Sequence, residues 1–366
     1  MMHLTEIICH GEAAVISMDK PSSNAAVPAK TFVLNLDLPP KERWTNVVKH
    51  FDPNVLKQGL YTLYSFFDSQ YLPSKALIPI VEEIAKNLED YIPQPYADEL
   101  RGLSKVLDMK LGDIVLVNII YDISAFNSSG IKACTSIVGM DKTGKIIHGR
   151  NLDYKFGDFL RNLTVQVDFQ KGGKTLFMAT TYAGYIGVIT GSKPHAFSIS
   201  GDQRNTGKIW RNLLSALESS WPTFFAERRV LEQASDYDSA LRQVVETPTI
   251  APVYFIVSGV NPGEGAIVIR EGRKVANITT LGQSKHGWYI VETNYDPWLR
   301  PPATDDRRDA AINAMNKVGK NHFSPQQLYN VLSVNLVFNK DTTYTTIMSA
   351  ADPSVYHTMI RYDAPK

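Results

Sequence analysis

Cysteine is scarce in this chain of 366 residues, with only Cys9 and Cys134 present. Two thiols can pair only with each other, so a disulfide-stapled scaffold is excluded and each thiol needs its own explanation. An excess of one charge is also missing, since 38 Lys and Arg stand against 37 Asp and Glu, with no long basic block. The electrostatic footprint of a nucleic-acid binder is therefore absent, and no nucleic acid is expected as a partner. No stretch approaches the roughly 18 to 20 uninterrupted apolar residues of a membrane-spanning helix. Glu6, His10, Glu12 and Asp19 interrupt any leader-like run, and Pro21-Ser22-Ser23-Asn24 follows. The expectation is a cytosolic protein, or one whose leader is missing from this sequence. His-x-x-x-His and paired-cysteine patterns are lacking too, so no metal is expected, and His148, His195, His286 and His357 read as structural or surface positions. Gly184, Gly187 and Gly191 lack the strand-to-helix transition and the Gly-Lys-Ser/Thr ending of a phosphate loop, and no cofactor is expected.

What is present is an ordinary globular composition, 44% hydrophobic and 20% charged. The pattern divides the chain into a poorly patterned arm over 1–27, a mainly helical region over 28–133 and a strand-rich region over 134–366. Phe32-Val33-Leu34-Asn35-Leu36 alternates as a strand does. Over 55–96 the spacing becomes helical, with Leu56, Leu60, Leu63, Tyr64 and Phe67, breaks at Pro73 and Pro79, and a second segment through Ile80, Ile84 and Leu88. A third apolar helix is expected over 111–121. Tyr61, Tyr64, Phe66, Phe67 and Tyr71 are core residues or, if exposed, an interfacial patch giving peripheral membrane contact.

After Gly130 the period switches to two. Residues 135–140, a turn at Asp141-Lys142-Thr143-Gly144 and residues 145–148 form one hairpin; 163–169 and 176–182 form a second about Lys171-Gly172-Gly173-Lys174. A third joins 253–258 to 266–270, strands recur at 288–292, 345–348 and 358–362, and helices at 210–217, 224–231, 239–245, 308–318 and 325–334. Strands returning to one sheet system with helices outside predict a layered α+β fold. With the first turn centred on Lys142 and Thr143, antiparallel pairing sets Cys134 opposite Asn151, with Arg150 and Asp153 within a residue or two. A cation beside the thiol favours the thiolate, and an Asp holds the Arg or an amine in place. Taken alone, the same residues also fit a buried small hydrophobe beside a surface Arg-Asp pair.

The run Cys134-Thr135-Ser136-Ile137-Val138 followed by His148-Gly149-Arg150-Asn151-Leu152-Asp153-Tyr154 resembles the family of N-acylethanolamine acid amidase and acid ceramidase, cysteine hydrolases of the N-terminal-nucleophile type. The resemblance extends over about 32–361 and includes Glu99-Leu100-Arg101-Gly102, Ser200-Gly201-Asp202, Val291-Glu292-Thr293-Asn294-Tyr295-Asp296 and Asp305-Asp306-Arg307-Arg308. It implies a four-layer αββα sandwich and a self-made cut between Ala133 and Cys134. The product is an α/β heterodimer whose new α-amine acts as base for the Cys134 thiol. It further implies that Asp153 orients that amine, that Arg150 supports the nucleophile and the substrate carbonyl, and that Asn294 donates to the oxyanion; without it Asn294 reads as a turn residue. The implied substrate is a lipid amide, an N-acylethanolamine first, with a ceramide or another N-acyl amide as the alternative, and the implied compartment is the lysosome. Sequons at Asn127, Asn162 and Asn277 fit a glycosylated secretory protein.

Two features depart from the mammalian members. A long segment, 122–133, precedes the nucleophile, and Gln203 stands where those enzymes carry a glutamate. An amide there does not titrate and weakens an acid trigger for maturation, which leaves an inactive lipid-binding relative as the non-enzyme alternative.

Overall fold

Three hairpins and the strands that return to them build two stacked sheets. The computed structural model describes residues 26–59, 62, 74–124, 132–154, 157–204 and 220–362. Cys9, most of the N-terminal arm, the aromatic group Tyr61 to Tyr71, the sequon at Asn127 and the helix expected over 210–217 lie outside the described residues. Asn162 and Asn277 are both exposed. Among the described residues no helix is long and apolar enough to cross a membrane.

The six-stranded sheet runs β1 (Val27–Pro28), β14 (Tyr356–Ile360), β13 (Thr342–Met348), β4 (Ile146–Tyr154), β3 (Lys132–Met140), β12 (Tyr289–Glu292). The eight-stranded sheet runs β11 (Lys274–Thr280), β10 (Gly265–Glu271), β9 (Val253–Ser258), β8 (Phe197–Gln203), β7 (Thr190–Lys193), β6 (Lys174–Tyr182), β5 (Thr164–Lys171), β2 (Lys30–Asn35). Neighbours are antiparallel except β2 and β5, which pair in parallel across a long crossover. The helices Thr223–Gln233 and Tyr237–Glu246 cover the larger sheet, and Arg307–Val318 and Pro325–Val331 cover the smaller, giving the four-layer αββα sandwich.

Pro79 does not break its helix. Ser74–Lys86 continues through it, and because Pro79 is exposed the one backbone bond it cannot donate is left to water. The β3–β4 register also differs from the expected one, for Cys134 lies opposite Leu152 and Thr135 opposite Asn151. The turn holds three residues rather than two. Gly144 adopts φ +95°, and the Asp141 carboxylate accepts from the amides of Thr143 and Lys145 at 2.8 and 3.0 Å, so the hairpin gains one residue and the pairing slips by one.

The space between the sheets is divided: Val138, Ile146, Ile256, Ile267, Ile269 and Ile290 form an apolar cluster at one end, and polar side chains fill the rest. Along β8, Phe197, Ile199 and Gly201 face the helical layer while Ser198, Ser200 and Asp202 face the other sheet, inverting the usual strand pattern. The helix Tyr96–Leu107 is tied to Thr223–Gln233 by a buried ion cluster. Glu99 accepts from Arg228 at 2.5 and 2.7 Å, Arg43 at 3.0 Å and Trp44 Nε1 at 2.6 Å. Glu99→Ala strands the fully buried Arg228 guanidinium. It is expected to lower stability by about 3–5 kcal/mol, read as a lower denaturant midpoint.

Candidate active site

Antiparallel pairing places residues opposite one another on the same face, so Cys134 and Ser136 of β3 share the inter-sheet face with Leu152, Arg150 and His148 of β4. The slipped register is what puts Arg150 on the same face as the sulfur. Arg150 is fully buried, and its Nη2 lies 3.2 Å from Cys134 Sγ, 3.0 Å from the Gly201 carbonyl and 3.3 Å from Asp202 Oδ1. Its Nη1 donates to the Ile189 carbonyl and Thr190 Oγ1, each at 2.9 Å. Burial pushes the Cys134 thiol up to about 11, Arg150 pulls it down, and Asp202 and Asp153 push it further up. In the continuous chain the sulfur is thus a neutral thiol.

Asp153 pairs with Ala133 and projects from the opposite face to Cys134 Sγ. It accepts from Thr342 Oγ1 at 2.7 Å and Asn339 Nδ2 at 2.9 Å. Burial lifts its carboxyl to about 6, against the pull of Arg307, whose Nη1 stands 3.9 Å away. Asn294 follows β12, and its Oδ1 accepts the Cys134 N–H at 2.7 Å and Arg307 Nη2 at 2.9 Å. Its Nδ2 donates to the Gln203 carbonyl at 2.7 Å. Arg307 also donates to the Cys134 carbonyl. The structure therefore brings Cys134, Arg150, Asp153 and Asn294 to one locality.

Two participants were absent from the expected set. Arg307, at a helix start, donates to the Cys134 carbonyl and to the Asn294 oxygen that accepts the Cys134 N–H, and Asp202 is the counter-charge of Arg150. The only sequence signal for either was its place in the runs Asp305-Asp306-Arg307-Arg308 and Ser200-Gly201-Asp202.

Cys134 lies in the wall of an apolar pocket of about 720 Å3, part of it open to solvent, with Val117, Ile120, Leu152, Tyr185 and Phe224 among its lining. Such a wall suits an acyl chain, each Å2 of apolar surface buried being worth about 25 cal/mol.

Four carboxyls near this centre, Asp153, Asp202, Glu227 and Glu292, are buried, and burial raises all of them: Asp153 to about 6, Asp202 to about 7, the glutamates well above their ordinary range. Between about 4, where the unfolded chain titrates, and its own raised value, each holds a proton in the native state that the unfolded chain has released. That stabilisation is full below about 4 and is lost as pH rises through the folded value. His148 acts oppositely, because burial pushes it down to about 3 and only the unfolded chain takes up its proton as pH falls below about 6.5. The carboxyls outnumber it. Melting temperature is expected to be several degrees higher at pH 5 than at pH 8, as measured by calorimetry.

A family model described as the beta subunit of N-acylethanolamine-hydrolyzing acid amidase matches residues 27–92. The N-acylethanolamine-hydrolyzing acid amidase of Rattus norvegicus is 40% identical over 362 residues, covering 96% of this chain and 97% of its own. The acid ceramidase of Homo sapiens is 35% identical over 350 residues, covering 90% and 85%. Among solved structures, the Caenorhabditis elegans N-acylethanolamine-hydrolyzing acid amidase ortholog is 36% identical, covers 61% of this chain and 95% of its own, and superposes with a TM-score of 0.56. Identity at this level over almost the whole chain establishes the relationship: this protein belongs to the N-acylethanolamine acid amidase family.

Proposed function

We propose that Cys134, released as a new N-terminus by a cut after Ala133, is the nucleophile with which this amidase hydrolyses N-acylethanolamines to fatty acid and ethanolamine. The observation that carries the reading is the placement of Cys134 Sγ in the wall of the apolar pocket, 3.2 Å from the buried Arg150 guanidinium. The cut separates a helical subunit ending at Ala133 from a catalytic one beginning at Cys134.

Maturation starts with Sγ attacking the Ala133 carbonyl carbon. The Ala133–Cys134 C–N bond breaks as the acyl group moves to sulfur, and water then hydrolyses the thioester. The freed α-amine titrates near about 7.7–8.0 and a thiol near about 8.5, so the proton passes between them at little cost. In turnover the amine takes the thiol proton, sulfur adds to the substrate carbonyl, and the ammonium returns the proton to the departing ethanolamine nitrogen. Water, deprotonated by the same amine, then cleaves the thioester and restores the thiol.

Asn294 Nδ2 carries two hydrogens and spends one on Gln203, which leaves the other for the oxyanion. Asp153, joined to Cys134 through Arg307, orients the amine, and Arg150 steadies the developing thiolate. A substrate with a long acyl chain resides in bilayers, so the helical subunit makes the peripheral membrane contact. The raised carboxyls suit an acid compartment such as the lysosome.

Palmitoylethanolamide and a ceramide are to be assayed side by side, with mass spectrometry of the chain. Cys134→Ala is expected to stay a single chain without turnover, and Asn294→Ala, in cut protein, to lose about 100- to 1,000-fold in kcat. Uncut active enzyme, or equal turnover by Cys134→Ser, overturns the mechanism; faster ceramide hydrolysis keeps the mechanism and changes the substrate.

A further inference from the structure

Behind Arg150 an unbroken line of hydrogen bonds crosses the space between the sheets. Ser136 Oγ donates to Asp202 Oδ1 at 2.9 Å and lies 3.1 Å from Ser200 Oγ. Ser200 Oγ is 3.0 Å from His148 Nε2, whose Nδ1 is 3.0 Å from Ser198 Oγ, and Ser198 Oγ is 2.6 Å from Ser258 Oγ. All six residues are buried. The line ends on the last residue of β9, whose following turn reaches the surface at Asn261.

The donor at one end sets every other link. With Ser136 giving its hydrogen to Asp202, Ser200 donates to Ser136 and His148 donates through Nε2. His148 Nδ1 then accepts from Ser198, which accepts from Ser258. Reversing each link yields an equally satisfied chain in which Asp202 carries the proton and donates to Ser136. The two arrangements differ by one proton on Asp202 and by the tautomer of a neutral imidazole.

We propose that Ser258, Ser198, His148, Ser200 and Ser136 form a proton wire that lets the sealed Asp202 carboxyl exchange with solvent, and that this exchange switches Arg150 between Asp202 and the Cys134 sulfur. This rests on the reading of Cys134 as nucleophile. One proton enters at Ser258 Oγ, each link passes one hydrogen inward, His148 changes from Nε2–H to Nδ1–H, and one proton arrives on Asp202 Oδ1. No group other than Asp202 changes its charge.

The consequence for chemistry follows from shared donors. Arg150 Nη2 stands between Asp202 Oδ1 and Cys134 Sγ, at 3.3 and 3.2 Å. While Asp202 is ionised it competes for the guanidinium and raises the thiol; once neutral, it leaves that charge to the sulfur. The groups facing Asp202 are Arg150 and Asp153 on β4, Cys134 on β3, Arg307 on its helix, Glu227 on Thr223–Gln233, Glu292 on β12 and Tyr121. Burial lifts Asp202 to about 7, against Arg150 and the Ser136 bond, so the switch falls between neutral and acid conditions.

Ring-nitrogen NMR of the whole protein labelled with 15N-histidine tests this directly. His148 is assigned by the signal lost in His148→Gln or, should that variant not fold, by the one shifted in Ser198→Ala. A neutral imidazole is expected throughout, its Nε2–H to Nδ1–H ratio going from about tenfold in favour of Nε2–H one pH unit above the midpoint to about tenfold against it one unit below. The interchange should disappear in Asp202→Asn and Ser136→Ala and persist in Ser136→Thr. A single tautomer at every pH, an imidazolium between pH 5 and 8, or an interchange that survives Asp202→Asn overturns the wire. In parallel, turnover of palmitoylethanolamide should rise as pH falls through the same midpoint in wild type, and Asp202→Asn should show no such step. Interchange without any turnover in wild type removes the nucleophile reading alone, whereas turnover with a fixed tautomer removes the wire alone.

Discussion

A guanidinium held where water cannot reach it governs the centre of this molecule. Arg150 lies between two sheets with no exposed surface, and a charge so placed is tolerable only when acceptors surround it. The carbonyls of Ile189 and Gly201, the hydroxyl of Thr190 and the carboxyl of Asp202 supply them. Meeting those demands has shaped the neighbouring strands, which turn serines, threonines and an aspartate inward where a sandwich ordinarily places aliphatic residues. The apolar residues of β8 then pack against the helices, and the apolar cluster between the sheets is confined to Val138, Ile146, Tyr254, Ile256, Ile267, Ile269, Leu281 and Ile290, away from Arg150.

The same burial produces a charge economy around Cys134. Asp153, Asp202 and Glu227 compete for two guanidiniums, those of Arg150 and Arg307, while Glu292 faces Arg308, and burial discourages most of these acids from ionising. Among the described residues Glu227 has no hydrogen-bond partner for either oxygen. Acid removes the surplus negative charge, so the fold gains from a falling pH.

Continuity of the chain at Ala133–Cys134 has its own effect. The Cys134 N–H is held by Asn294 and its carbonyl by Arg307, so the residue is gripped on both sides before any cut. The proposed cut at that nitrogen would leave an α-amine with an acceptor already in place. The Glu99 cluster, remote from the cut, ties the helical layer before Cys134 to the helix Thr223–Gln233 after it, and would hold the two pieces together once the peptide link is gone.

Hairpins, helix spacing and a cysteine followed by an arginine and an aspartate at short range are local properties, and local properties were legible in the sequence. The β3–β4 and β5–β6 hairpins, a layered α+β fold and the neighbourhood of Cys134, Arg150 and Asp153 were legible in this way; the four-layer αββα arrangement and the place of Asn294 followed only from the family resemblance. Register could not, because one residue more or less in a turn depends on whether Gly144 takes a left-handed conformation, and that slip decided that Arg150 shares a face with Cys134. Which side of β8 turns inward could not be read either, because Ser198, Ser200 and Asp202 face the other sheet where alternation reads the polar side as surface. Arg307 and Asp202 stand far along the chain from Cys134, and only folding brings Arg307 to its carbonyl and Asp202 to the Arg150 beside its sulfur. Chain order determined which chemistry was available; packing alone decided which charges would face the sulfur, since distance between residues remote in sequence is a property of the folded chain.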